Sequence, residues 1–161
     1  MRRSSLIGWL FILCFPCGAW CQDYVGLSMP AAKGRLKKEI RPRHRATRSL
    51  LPLLASQEIL GGMLTSSIDI QLGFDSTGVV YAEHYLCADE PSALQRLRTI
   101  LSKKEFGWLP LNENQHVSSM KHQRLLEIYK HETCWVVQVL RTDWSPLQYR
   151  LLFSNEKYIQ Q

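Results

Sequence analysis

Ser67-Ile-Asp-Ile-Gln-Leu-Gly-Phe74, the turn-forming Asp75-Ser-Thr-Gly78 and the run Val79 to Cys87 (VVYAEHYLC) decide how this chain is read. Ile68, Ile70, Leu72 and Phe74 alternate with Asp69, Gln71 and Gly73, the period-2 pattern of a strand with one buried face. The run after the turn is rich in β-branched and aromatic residues, so the two segments predict a hairpin.

Working outward, Asp89-Glu90-Pro91 offers a cap and an early proline. Leu94, Leu97, Ile100 and Leu101 then recur at helical spacing. Lys103 and Lys104 complement the end of the helix dipole, and Gly107 stops the element. The segment around Pro110 to Ser119 reads as a loop. Beyond it, roughly Gln123–Lys130, Cys134–Arg141 and Leu147–Ser154 read as three strands, joined by His131-Glu-Thr133 and Thr142-Asp-Trp-Ser-Pro146. Short connections imply antiparallel neighbours. Trp135, Val137 and Val139 share one face, as do Leu147, Tyr149, Leu151 and Phe153, and all are expected in the core.

Upstream, Ser49 to Leu60 (SLLPLLASQEIL) has a cap residue, Pro52 in its first turn and Gly61-Gly62 at its end, which predicts a short helix. The expected class is α+β: a small antiparallel sheet of about five strands packed against one or two helices, in the order α-β-β-α-β-β-β.

The first 21 residues predict an export signal. Met1 to Ser5 form a short positive region, and Leu6 to Trp20 (LIGWLFILCFPCGAW) are apolar. A membrane-spanning helix needs about 20 apolar residues, and Gly8 and Pro16 weaken this run further. Cleavage after Ala19 or after Cys21 satisfies the small-residue rule, and the second frame is preferred; an uncleaved short anchor is the alternative. Trp20 argues against acylation of Cys21. The expected destination is a periplasm or the extracellular space, with no transmembrane span left after cleavage.

The chain has a net charge of +6. Most of it falls between Lys33 and Arg48, where Lys33, Arg35, Lys37, Lys38, Arg41, Arg43, Arg45 and Arg48 face only Glu39. With Pro42 inside and few apolar residues, residues 22–48 are expected to form a flexible basic arm. Residues 49–161 carry ten basic and twelve acidic residues and have the length of a single domain. A solvated linker, contact with an anionic surface, or processing after Arg48 are the arm's three readings. Nucleic acid is disfavoured, since no aromatic residue is interleaved for base stacking. No N-x-S/T triplet occurs.

Removing the signal leaves Cys87 and Cys134 of five cysteines, an even pair that in an exported protein reads as a disulfide. It would close a loop worth roughly 4 kcal/mol in the chain-entropy model. Two unlinked thiols are one alternative, and a zinc site from His84, Cys87, His131 and Cys134 is the weakest reading, because an offset of three on a strand turns two side chains to opposite faces. No nucleophile elbow, phosphate loop or H-E-x-x-H is present: His131-Glu132 continues Thr-Cys-Trp. Trp108 and Trp144 flank turns, where they either anchor a partner or pack on the domain edge.

The expected function is a small exported module, neither enzyme nor cofactor carrier, that binds or scaffolds envelope or extracellular protein partners. A secreted precursor processed near Arg48 to release a signalling or inhibitory domain is one alternative. A small His/Cys-dependent hydrolase or metal protein is the other.

Overall fold

A computed structural model describes residues 23–40 and 59–154. In chain order the elements are helix α1 (Met29–Glu39), strands β1 (Ile59–Met63), β2 (Ile68–Phe74) and β3 (Val80–Cys87), and helix α2 (Glu90–Leu101). A 3₁₀ turn (Lys104–Phe106), strands β4 (Leu109–Asn112), β5 (Gln115–Val117), β6 (Arg124–His131) and β7 (Cys134–Arg141), and helix α3 (Pro146–Ser154) follow. The fold is mixed α+β. Among the described residues seven strands, rather than the expected five or so, form one antiparallel sheet in the order β1-β2-β3-β7-β6-β5-β4, and the element order α-β-β-α-β-β-β is not matched.

The β2–β3 hairpin forms as the alternation predicts. Ile70, Leu72 and Phe74 are buried, and a bulge at Gly73/Phe74 brings Phe74 opposite Val80. Asp75 ties the turn: its Oδ1 accepts the Thr77 N–H at 2.9 Å, the Thr77 hydroxyl at 2.7 Å and the Val79 N–H at 3.0 Å. Its Oδ2 meets Arg141 on β7 at 2.9 Å. These donors, the Thr77 hydroxyl first, hold the Asp75 carboxyl well below the usual carboxylate range. Gly78 completes the turn at φ 76°, a conformation that disfavours a side chain.

Register sorts the sheet into two faces. Ile70, Leu72, Tyr85, Cys87, Val137, Val139, Leu126 and Ile128 share the face covered by helices. There they pack with Ala32 and Leu36 of α1 and Ala93, Leu97 and Ile100 of α2. Asp89 caps α2, its carboxylate accepting the Ser92 N–H at 2.8 Å. Gly107 follows the 3₁₀ turn in the left-handed region.

Four expectations need correction. Lys33, Arg35, Lys37 and Lys38 belong to α1, which is docked by fully buried Ala32 and Leu36, so this part of the basic segment is not a flexible arm. The apolar residues are few, but they are spaced four apart on one face, and the sheet supplies the surface they need. Arg41, Arg43, Arg45 and Arg48 lie outside the described residues, as do residues 1–22 and 49–58.

Ile59 and Leu60 open β1 rather than closing a helix, and Gly61-Gly62 lie inside the strand. A Cβ at Gly62 would stand 2.3 Å from Ile40 Cδ1, and one at Gly61 would stand 2.8 Å from the Ile70 carbonyl oxygen. Close approach, rather than helix termination, explains this pair.

Leu147–Ser154 is helical. Ser145 and Gln148 form a reciprocal cap, with Gln148 Oε1 accepting the Ser145 N–H at 2.8 Å and Ser145 Oγ accepting the Gln148 N–H at 3.3 Å. Tyr149 is buried, while Leu147 and Leu151 are exposed. Finally, the segment around Pro110 holds the short hairpin β4–β5, whose turn is closed by Asn112 Oδ1 accepting the Asn114 N–H at 2.9 Å.

Candidate functional site

Three features of this scaffold carry polar chemistry. The first lies under the helices. Glu83, on β3, is 2 % exposed and faces the core. Its Oε1 accepts the N–H groups of Tyr24 at 2.5 Å and Val25 at 2.7 Å, and its Oε2 accepts the Tyr85 hydroxyl at 2.6 Å. Asp23 pairs with Arg124 on β6, and Arg124 also donates to the Val25 carbonyl at 3.1 Å. Burial raises the Glu83 carboxyl to about 7, and the nearby Asp23 charge adds to it.

A small cleft opens beside Glu83, lined by Asp23, Lys103, Phe106, Trp108 and Arg124. Arg124 sits 4.5 Å from the Phe106 ring centre, and Phe106 lies 5.7 Å from Trp108. Trp108 therefore packs at the domain edge. Trp144 packs against Tyr149, with ring centres 6.0 Å apart. The Glu83 carboxylate is occupied on both oxygens by backbone and tyrosine donors, so its visible work is to pin residues 23–25 to the sheet.

The second feature is a row of polar side chains across the opposite face. Gln71, His84, Gln138, Glu127, Gln115 and Asn112 are successive register partners on six adjacent strands. Glu127 accepts the side-chain amides of Gln115 (2.5 Å) and Gln138, and Gln115 accepts that of Asn112 at 2.6 Å. His84 is 4 % exposed, and neither ring nitrogen has a hydrogen-bond partner among the described residues. Burial lowers it to about 4, so it is neutral at pH 7.

The third feature is the outer face of α1. Pro30, Ala31, Lys33, Gly34, Lys37 and Lys38 are exposed, none of them acidic. Glu39 is half-buried beside Tyr24 and Arg96, and burial raises its carboxyl. Arg35 is drawn inward by donating to the Asp23 carbonyl at 2.6 Å. The helix thus turns its one acid and its one arginine towards the body and leaves a lysine row outside.

The histidines and cysteines are not brought together as one set. Cys87 is opposite Trp135 in the register, so Cys134, one residue away, is on the other face of the sheet. Both thiols are free. The expected Cys87–Cys134 bridge is therefore absent, because bridging would require a one-residue slip that turns every side chain of β7 over. Burial pushes the Cys87 thiol up to about 11 and raises Cys134 as well. His84 and Cys87 likewise take opposite faces, whereas His131 is the register partner of Cys134 at the hairpin end. Among the described residues no group of three or more His, Cys, Asp or Glu is placed to hold a metal ion.

Sequence reasoning did not find Glu83, whose role depends on the distant Tyr24 and Val25. The polar row was half legible, because Gln71 and His84 fall on one face of the predicted hairpin. Among the described residues, no helix is long and apolar enough to cross a membrane. No family model, curated protein or solved structure matches the chain.

Proposed function

We propose that the protein is a small exported binding module, without catalysis of its own, that attaches to an acidic protein partner in the envelope or extracellular space. The observation that carries this reading is the face of α1, where Lys33, Lys37 and Lys38 are exposed on a helix anchored by Ala32 and Leu36. A solvated linker needs no such anchoring. A lysine row on a folded body presents charge in a fixed arrangement, which gives electrostatic recognition its specificity and its on-rate.

The precursor reading draws less support from the fold. Tyr24 and Val25 are bonded to Glu83, Ser28 bridges to Val79, and Ala32 and Leu36 are in the core. A cut near Arg48 would leave this segment bound to the body instead of releasing a separate domain.

Capture of partners from native membrane and extracellular fractions by tagged protein tests the proposal. The wild type is expected to retain a partner that elutes as salt rises, because exposed charges are screened over about 10 Å at 0.1 M ionic strength. The double variant Lys37→Glu/Lys38→Glu is expected to lose that partner while keeping its melting temperature. Equal retention by both proteins sinks the reading.

A further inference from the structure

The two edges of the sheet are built differently. At one edge, β4 is four residues long, contains Pro110, which has no N–H, and breaks register between Pro110 and Asn112. These are the devices that keep an edge strand from pairing with other chains. At the other edge β1 (Ile59–Met63, ILGGM) has no proline, no charged residue and an unbroken register with β2.

The pairing also says which groups β1 turns outward. The Leu64 N–H donates to the Ile68 carbonyl at 2.9 Å. In an antiparallel ladder bonded pairs alternate, so Leu60 and Gly62 bond to β2. Ile59, Gly61 and Met63 direct their N–H and C=O groups to the open edge. Among the described residues nothing pairs with that edge, and β1 is half-buried to exposed along its length.

The surroundings select among possible occupants. On the helix-covered side, Leu60 and Ile40 flank the edge and are apolar. On the other side Asp69 of β2 stands opposite Met63, with no ion-pair partner among the described residues. Burial raises its carboxyl. Met63 shares the face of Asp69 and stands between it and the edge, so the open approach is diagonal, across Gly61, which has no side chain. Two strand spacings with the two-residue offset between Gly61 and Met63 span about 12 Å, within the combined reach of a carboxylate and a long cationic side chain.

We propose that β1 is a docking edge for an extended peptide of a protein partner. The peptide adds as a strand beyond β1, with apolar side chains over Leu60 and Ile40 and a lysine or arginine turned across Gly61 to Asp69. Main-chain bonds to Ile59, Gly61 and Met63 supply affinity, and the alternating side chains supply selectivity. The inference rests on reading the protein as a binding module, but it uses a surface distinct from the lysine row.

The probe is an acetylated peptide of about eight residues, alternating valine and threonine with one central lysine, titrated into the full chain and followed by backbone amide exchange. Expected is slowed exchange at Ile59, Gly61 and Met63, and loss of binding when the peptide amides that face β1 are N-methylated. Asp69→Asn should weaken the lysine peptide about threefold and leave a peptide with threonine in its place unchanged. Met63→Pro, which removes an outward donor, should weaken both about tenfold. Because N-methylation leaves the protein intact, that arm stands even where Met63→Pro does not fold.

No binding, binding indifferent to N-methylation, protection at β4, or self-association through β1 would each overturn the proposal. Lys37→Glu/Lys38→Glu should not affect peptide addition. Peptide addition without partner capture would defeat the lysine-row reading alone, and partner capture without peptide addition would defeat the edge alone.

Discussion

Glu83 and His84, neighbours in β3, are buried on opposite faces of the sheet, and burial shifts their titrations in opposite directions. Glu83 titrates near 7 in the folded protein against 4.5 for the free side chain, so its favourable contribution is present below 4.5 and lost as pH rises through about 7. His84 titrates near 4 against 6.5, so its contribution is present above 6.5 and lost as pH falls through about 4. Between pH 4.5 and 6.5 the two slopes oppose one another. Urea unfolding across this range should show Glu83→Gln gaining stability with pH relative to wild type, and His84→Leu losing it. Parallel pH profiles for all three proteins would contradict the assignment.

At constant pH, Glu83→Ala should cost about 3 kcal/mol or more, because it leaves the N–H groups of Tyr24 and Val25 and the Tyr85 hydroxyl buried without an acceptor. Glu83→Gln should cost much less, since an amide keeps one acceptor oxygen and lets the tyrosine hydroxyl turn to accept. Chemical denaturation of the two variants side by side checks the ranking.

Leu36→Ala should destabilise the protein by roughly 2–5 kcal/mol, the range for a buried leucine. A basic arm free in solvent predicts no effect. The same denaturation experiment therefore decides whether α1 is part of the folded body.

The two glycines of β1 should rank against their clash distances. Gly62→Ala meets the Ile40 side chain, closest at Cδ1, whose end can rotate away, and should cost about 1 kcal/mol, less than Gly61→Ala. Gly61→Ala meets the Ile70 backbone carbonyl, which the ladder holds, and should cost about 1–3 kcal/mol. Thermal melts of both variants read the order directly.

Thiol labelling should be sequential. Cys134 is partly exposed and should react with an alkylating reagent in the folded protein, whereas buried Cys87 should react only on unfolding. Both should label in denaturant without reductant. A mass 2 Da below the reduced form in exported protein would instead show the bridge that the register forbids.

Local patterns of the sequence announced the parts of the fold whose signals are local. The β2–β3 hairpin came from strict alternation and a turn built by Asp75, α2 from a cap and helical spacing, and β7 with its boundaries from a β-rich run between polar turns. Where two periods coexist, the local signal misled: Leu147, Tyr149, Leu151 and Phe153 alternate like a strand. The decisive cue was instead Ser145-Pro-x-Gln148, a capping box with proline at the first helical position. Gly61-Gly62 reads equally as a helix stop and as a strand in close contact, and only the position of Ile40 distinguishes them. The strands β4 and β5 escaped notice because segments of four and three residues are too short to show a hydrophobic alternation.

By itself, the sequence determined the α+β class, the antiparallel hairpins, the central helix, the concentration of charge in one segment and the lack of a recognisable catalytic motif. All follow from composition or from residues within a few positions of one another. Tertiary structure alone decided that the first part of the charged segment, Lys33 to Lys38, lies on a docked helix and that Glu83 clamps residues 58 and 59 positions away. It also decided that Cys87 and Cys134 face apart, and that among the described residues one sheet edge is guarded and the other unpaired. These are matters of register and of which face an element turns inward, where moving a strand by one residue exchanges every inward side chain for an outward one.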